Sequence, residues 1–228
     1  MKPVVQFREL GLLEYQEAWT LQEQLLQQSI AQKANGLLPA HHLLFVEHPP
    51  VYTLGKSGKK EHVLIDDQEL KERQIAFFQT NRGGDITYHG PGQLVGYPII
   101  DLEQFYRDIG RYLRELEEVI ILTLQEYGLK GERSIGETGV WLDPGIPGRA
   151  RKICAMGVRC SRWVTMHGFA LNISNDLSYF NHIVPCGIPD KSITSVEKEL
   201  GRTLSIAEVK QKVLQNFSNV FGVEIRTI

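Results

Sequence analysis

The most constraining stretch of the 228-residue chain is 106–127, where Ile109, Leu113, Leu116, Ile120, Leu124 and Tyr127 recur at spacings of three and four and Gly128 follows as a stop. At 3.6 residues per turn these side chains share one face, so the segment has to be an amphipathic helix laid on an apolar surface. Its expected role is core packing, without chemistry of its own. The surface it needs is offered by apolar runs too short to be helices, at 4–10, 42–47, 75–80, 86–88, 94–100, 140–142, 153–159, 168–173 and 223–226, which read as strands. Pro98 inside 94–100 points to an edge strand or a strand end.

Two more helices are signalled by their ends. Residues 14–33 are rich in Gln, Leu and Glu and close on Asn35-Gly36. Ser205-Ile206-Ala207-Glu208 is a capping box for a helix reaching Val220, with Val209, Val213 and Phe217 facing inward. Thr194-Ser195-Val196-Glu197 is a second capping box, opening one or two turns that end at Gly201. Strands scattered among helices without a βαβ rhythm predict an α+β fold, a mixed β-sheet with packed helices. No repeat or compositional break divides the chain, so residues 1–228 are expected to be one domain.

Composition excludes several classes. A formal net charge of −2 offers no general positive field for a nucleic acid. No run approaches the roughly 20 apolar residues that cross a bilayer, and 2–9 lack the apolar core of a signal peptide. The three cysteines, Cys154, Cys160 and Cys186, are an odd number in a chain without export signals, which suits reduced thiols and a cytoplasmic location.

Three segments combine glycines with reactive side chains. In 82–93 (RGGDITYHGPGQ), paired glycines permit close approach of a ligand between Arg82 and His89, although a turn between strands wants the same glycines. The GxxxxGK[ST] and GxGxxG phosphate-loop spacings are absent. In 152–159 (KICAMGVR), Lys152 opens a strand straight after the Gly/Pro-rich stretch 143–149. In 183–189 (IVPCGIP), Cys186 sits between Pro and Gly rather than in an apolar element, as an exposed nucleophile would.

These blocks, with His167–Asn172 (HGFALN), Glu47–Gly55 (EHPPVYTLG) and Thr194–Gly201 (TSVEKELG), resemble in content and order the signature blocks of the octanoyltransferase family, the lipoyl(octanoyl) transferases. The resemblance implies a fold related to the biotin and lipoate protein ligases. It implies that Cys186 takes an octanoyl group from octanoyl-acyl carrier protein as a thioester, which the ε-amine of a lysine on a lipoyl domain then attacks. Acceptors would be the lipoyl domains of 2-oxoacid dehydrogenases and the glycine cleavage H protein, with no nucleic acid or membrane partner. Lys152 matches the family's catalytic lysine, which promotes the thiolate and handles the proton. Substrate-lining positions would be Arg82, Gly83, Gly84, Asp85, Ile86, Thr87, Tyr88 and His89, then Ala155, Met156 and Gly157, then Gly168, Phe169 and Ala170. No ATP, metal or other cofactor is implied. Cys154 departs from the family's usual alanine, and Cys154 and Cys160 read as buried apolar residues rather than zinc ligands.

His89 has two readings, contact with substrate or Lys152 and a satisfied structural histidine. Lys56, Lys59, Lys60, Arg149 and Arg151 form a basic set that either meets an acidic carrier protein or is plain solvated surface. The closest rival activity is an ATP-dependent lipoate-protein ligase, for which Cys186 and Lys152 would be idle. A papain-like hydrolase would pair Cys186 with one of His48, His89, His167 or His182. A non-catalytic binder of lipoyl domains would need none of these.

Overall fold

The computed structural model describes residues 2–184 and 192–228, so the Pro-Cys-Gly turn at Cys186 lies outside the described residues. Among them, nine strands form a mixed sheet. Its order is β12 (Glu224–Thr227), β1 (Val4–Leu12), β2 (His41–Glu47), β6 (Gln93–Ile99), β10 (Val164–Asn172), β9 (Arg151–Ser161), β8 (Val140–Leu142) and β7 (Glu132–Arg133), with β11 (Ser192–Ile193) pairing beside β9. β1 runs parallel to β12 and β2, and the ladders from β2 through β6, β10, β9 and β8 are antiparallel. A second sheet joins β4 (Ala76–Gln79), β3 (Val51–Leu54) and β5 (Ile86–His89). The architecture is the expected α+β, and no helix among the described residues is long and apolar enough to cross a membrane.

The large sheet is covered on both faces, which explains why β2 reads as an unbroken apolar run rather than an alternation. Leu43 and Phe45 point to α3 (Ile109–Gln125) and α5 (Ile206–Phe221), and Leu44 and Val46 point to α1 (Tyr15–Ala34). In α3 the fully buried Leu116, Val119, Ile120 and Leu124 meet Val209, Val213 and Phe217 of α5. Each such side chain contributes up to roughly 2 kcal/mol by leaving water.

One alternative left open by the sequence is resolved, and three details differ from it. Pro98 is at a strand end and not on an edge: it is the last residue but one of the interior strand β6, and the β6–β10 ladder ends at Gly96, so the missing proline N–H leaves no gap on that side. Its carbonyl accepts a hydrogen bond from Thr165 Oγ1 at 2.9 Å. The cap of α4 (Val196–Leu200) is Ser195, one residue later than expected, because Thr194 Oγ1 turns to Glu199 at 2.6 Å instead. β3 is a strand that Pro49-Pro50 concealed. α2 (Asp67–Glu72) is a short helix with an Asp66/Glu69 capping box that also went unread.

Candidate functional site

The small sheet faces β6, β9 and β10 across a cavity of about 650 Å³. Two close approaches of backbone shape it. A Cβ on Gly157 would stand 2.5 Å from the Gly83 carbonyl, and one on Gly168 would overlap the Gly96 carbonyl. Larger residues would push apart the elements that form the walls. Gly83 N–H donates to Val158 O at 2.9 Å, which pins the glycine pair directly on β9.

Of the residues singled out from sequence, Arg82, Gly83, Gly84, Asp85, Ile86, Thr87, His89, Lys152, Ala155, Met156, Gly157, Gly168, Phe169 and Ala170 all line this one cavity. Tyr88 does not. Strand alternation turns it away from Thr87 and His89, and it stacks on Tyr179 with ring centroids 4.7 Å apart. Cys186 lies outside the described residues. α3, expected to serve only the core, contributes Ile109 and Leu113 to the cavity wall.

Lys152 is 8% exposed, with Nζ 4.5 Å from the centre of the Trp141 ring. A desolvated ammonium over an indole gains about 2 kcal/mol from the ring quadrupole, which holds the side chain in place. Its backbone is held as well. Thr194 N–H donates to Lys152 O at 3.0 Å, and the neighbouring Arg151 clamps Glu199 with two bonds of 2.7 and 2.6 Å while reaching Asp143 at 2.6 Å. Arg151 therefore anchors the start of β9 and is committed there, so it does not belong with the basic surface set.

A buried polar chain runs from the glycine loop toward Lys152. Arg82 Nη2 donates to Thr53 O at 2.5 Å and to Thr53 Oγ1 at 3.0 Å. His89 contacts Thr53 Oγ1 through Nε2 and Gln93 Oε1 through Nδ1, the latter at 2.8 Å. Because Gln93 Nε2 donates to Tyr88 O and Asn172 Oδ1, its Oε1 must accept, so His89 carries its proton on Nδ1. Asn172 in turn donates to Thr194 O at 3.0 Å. Of the two readings of His89, the structure favours the satisfied histidine: both ring nitrogens are occupied by protein.

Protein also holds His48 through both ring nitrogens and His167 through one. His48 donates through Nδ1 to Leu13 O at 2.7 Å and accepts from Tyr97 OH at 2.8 Å. His167 donates through Nε2 to Asn81 Oδ1 at 2.7 Å, since the Asn81 amide is turned to Glu23. Burial lowers all three, His48 to about 4 and His89 and His167 to about 3, so they are neutral at physiological pH. Burial likewise raises Tyr15, which lines the cavity, to about 12. The cavity is thus polar but carries little titratable charge near neutrality from these groups. Cys154 is fully buried and Cys160 half-buried, and burial raises both thiols, in keeping with apolar roles.

The loop that brings Gly136, Glu137 and Thr138 to the cavity went unnoticed in the sequence. It is braced from α3 by Glu117, a fully buried carboxylate that accepts Gly139 N–H at 3.0 Å and pairs with Arg133 at 3.1 Å and Arg114 at 2.8 Å. A glutamate at 117, one position after an apolar-face Leu116, was the available signal.

Residues 14–218 match the family model described as the lipoyl protein ligase A/B catalytic domain. The chain is 54% identical over 233 residues to an octanoyltransferase of Christiangramia forsetii, covering 99% of each sequence. Its fold is similar to that of a bipartite lipoate protein ligase from Thermoplasma acidophilum, with a TM-score of 0.71 at 19% identity over 100% of this chain and 88% of that one. It is more distantly similar to a biotin protein ligase from Aquifex aeolicus, with a TM-score of 0.51 at 14% identity over 97% of this chain and 71% of that one.

Proposed function

The chain belongs to the octanoyltransferases of the lipoyl protein ligase A/B catalytic-domain family, and from that premise we propose that it moves an octanoyl group from octanoyl-acyl carrier protein, through a thioester on Cys186, to a lysine ε-amine on lipoyl domains. Residues 1–228 would act as one catalytic domain, in the cytoplasm. The observation that carries this reading is that the glycine block at 82–89 and the distant β9–β10 hairpin line one cavity, with Lys152 buried in its wall.

The proton bookkeeping needs only this chain and its two substrates. The Lys152 ammonium stabilises Cys186 as the thiolate, which attacks the donor carbonyl. The carrier's thiolate leaves and takes a proton from the ammonium. The acceptor amine then attacks the acyl-enzyme, Lys152 receives the proton it loses, and the Cys186 thiolate leaves as the amide forms. Thioester exchange is close to balanced and aminolysis runs downhill, so ATP is not required. Backbone N–H groups of the glycine-rich walls suit a developing oxyanion. The seven carbons beyond the carbonyl can contribute up to roughly 6 kcal/mol by leaving water, at about 0.8 kcal/mol each.

The test is transfer to an isolated lipoyl domain from purified octanoyl-acyl carrier protein without nucleotide. Amide formation is expected without ATP. Transfer that appears only with ATP and free octanoate would place the chain with the ligases in activity as well as in fold.

A further inference from the structure

One histidine absent from the sequence reading joins two segments that the reaction needs in register. The stretch from Gly55 to Leu64 is tied at its start to the glycine loop of the cavity. Gly55 N–H donates to Asp85 O at 3.1 Å, Lys56 N–H to Arg82 O at 3.0 Å and Ser57 N–H to Gly84 O at 3.1 Å. At its other end it is tied to the chain that runs toward residue 186. Leu64 N–H donates to His182 O at 2.9 Å, Val184 N–H donates to His62 O at 2.8 Å, and Val63 bridges Ile183.

His62 is the junction. Its carbonyl holds Val184, and its ring Nδ1 lies 2.7 Å from Asp85 Oδ2, with the two side chains only 18% and 13% exposed. Asp85 lines the cavity, and its other oxygen accepts Ile86 N–H at 2.7 Å, so the carboxylate is fixed in direction. The loop sits tightly over it: a Cβ on Gly58 would come within 2.8 Å of Asp85 Oδ1. The ring approaches off the line of a good hydrogen bond, so its pull on the carboxylate is electrostatic and requires the ring to carry a proton on both nitrogens.

We infer that His62 is a positioning residue for acyl transfer, acting as a cation on Asp85 to hold the 182–184 chain in register with the cavity wall. The inference rests on the Cys186 reading above. Val184 stands two positions before Cys186, and a misplacement of about 1 Å at a nucleophile can cost on the order of 100-fold in rate. What matters at position 62 is then charge and reach rather than imidazole chemistry.

The experiment is single-turnover acylation by octanoyl-acyl carrier protein, followed by intact mass, for wild type, His62→Ala and His62→Lys, with thermal unfolding alongside. His62→Ala should slow acylation at saturating donor by about 10-fold, leaving the half-saturating donor concentration unchanged. His62→Lys should recover the rate to within about 2-fold, which a purely structural role for the ring would not produce. If His62→Ala fails to fold, His62→Gln removes the charge at similar bulk and takes its place. Wild-type acylation rates in the uncharged variants, or equal loss in His62→Lys, would overturn the inference and leave Cys186 untouched. Transfer by a wild type that never carries an acyl group would overturn the Cys186 reading and this inference with it.

Discussion

The layer under α3 and α5 and the space between the two sheets are buried to a similar degree by opposite means. In the first, Leu116, Val119, Ile120 and Leu124 meet Val213 and Phe217, and polar groups such as the Asn216–Thr123 pair sit at the margin of the apolar contact. In the second, His48, His89, Gln93, His167 and Asn172 are buried to the same extent, and each is hydrogen-bonded to protein, with His167 Nδ1 left without a partner. Volume is what the apolar layer requires, so side chains of similar size can exchange there. Between the sheets, a lost partner strands a buried donor or acceptor. Stability should therefore be concentrated in one layer and both activity and pH sensitivity in the other.

Acid separates the two layers most strongly. His48, His89 and His167 are held neutral by burial at about 4, 3 and 3, whereas an unfolded histidine titrates near 6.5. Below that value the unfolded chain binds protons that the folded one refuses, so stability is full above it and falls as pH drops toward the folded values. At pH 5 each histidine costs up to roughly 2 kcal/mol, or about 6 for the three. The melting temperature should fall steeply between pH 6.5 and 4. Replacing His167 by Asn, which tolerates the positive φ of 58° there, should flatten that fall. A pH-independent melting curve would break the contrast.

Lys152→Ala should lower transfer by about 1,000-fold, or about 4 kcal/mol on the barrier, against a stability loss of about 2 kcal/mol from its contact with Trp141. Ile120→Ala should act on stability alone, costing about 3 kcal/mol while activity per folded molecule stays at the wild-type level. Gln93→Leu belongs between them. By stranding His89 Nδ1–H and freeing Asn172 it should cost about 2 kcal/mol and also slow transfer, because Asn172 leads to the Thr194 backbone that holds Lys152. Denaturant unfolding and initial rates on the same preparations would show whether the two readouts divide as stated.

The smallest effect lies outside both layers. Ser161 pairs with Val164, leaving Arg162 and Trp163 as a two-residue hairpin turn with φ of 50° and 65°. Asn suits the first position far better than Arg, so Arg162→Asn should raise stability by about 0.5–1 kcal/mol without touching transfer. A change in rate from this variant would mean that the β9–β10 hairpin is coupled to the cavity.

Much of the fold was legible because its strongest signals are local. The face of α3, the Ser205 cap of α5 and the apolar run of β2 are set by period and end chemistry. Pro98 left an edge and a strand end both open because the end of a ladder tolerates proline as well as an edge does, and local sequence does not reveal where a partner strand stops. In the site, glycine blocks and Lys152 stood out because a core needs neither. His62, Glu117 and Thr53 did not, since each acts through a partner at least 22 residues away: Asp85 lies 23 positions from His62, Gly139 lies 22 from Glu117, and His89 lies 36 from Thr53. Single side chains that brace loops carry no periodic or compositional mark.

The most direct test of the central claim is intact-protein mass spectrometry after incubation with octanoyl-acyl carrier protein alone. The wild type should carry one octanoyl adduct, removed by hydroxylamine, absent from Cys186→Ser and slow to form in Lys152→Ala. A folded, active wild type that shows no adduct, or one that keeps it in Cys186→Ser, would contradict a thioester on Cys186 as the intermediate.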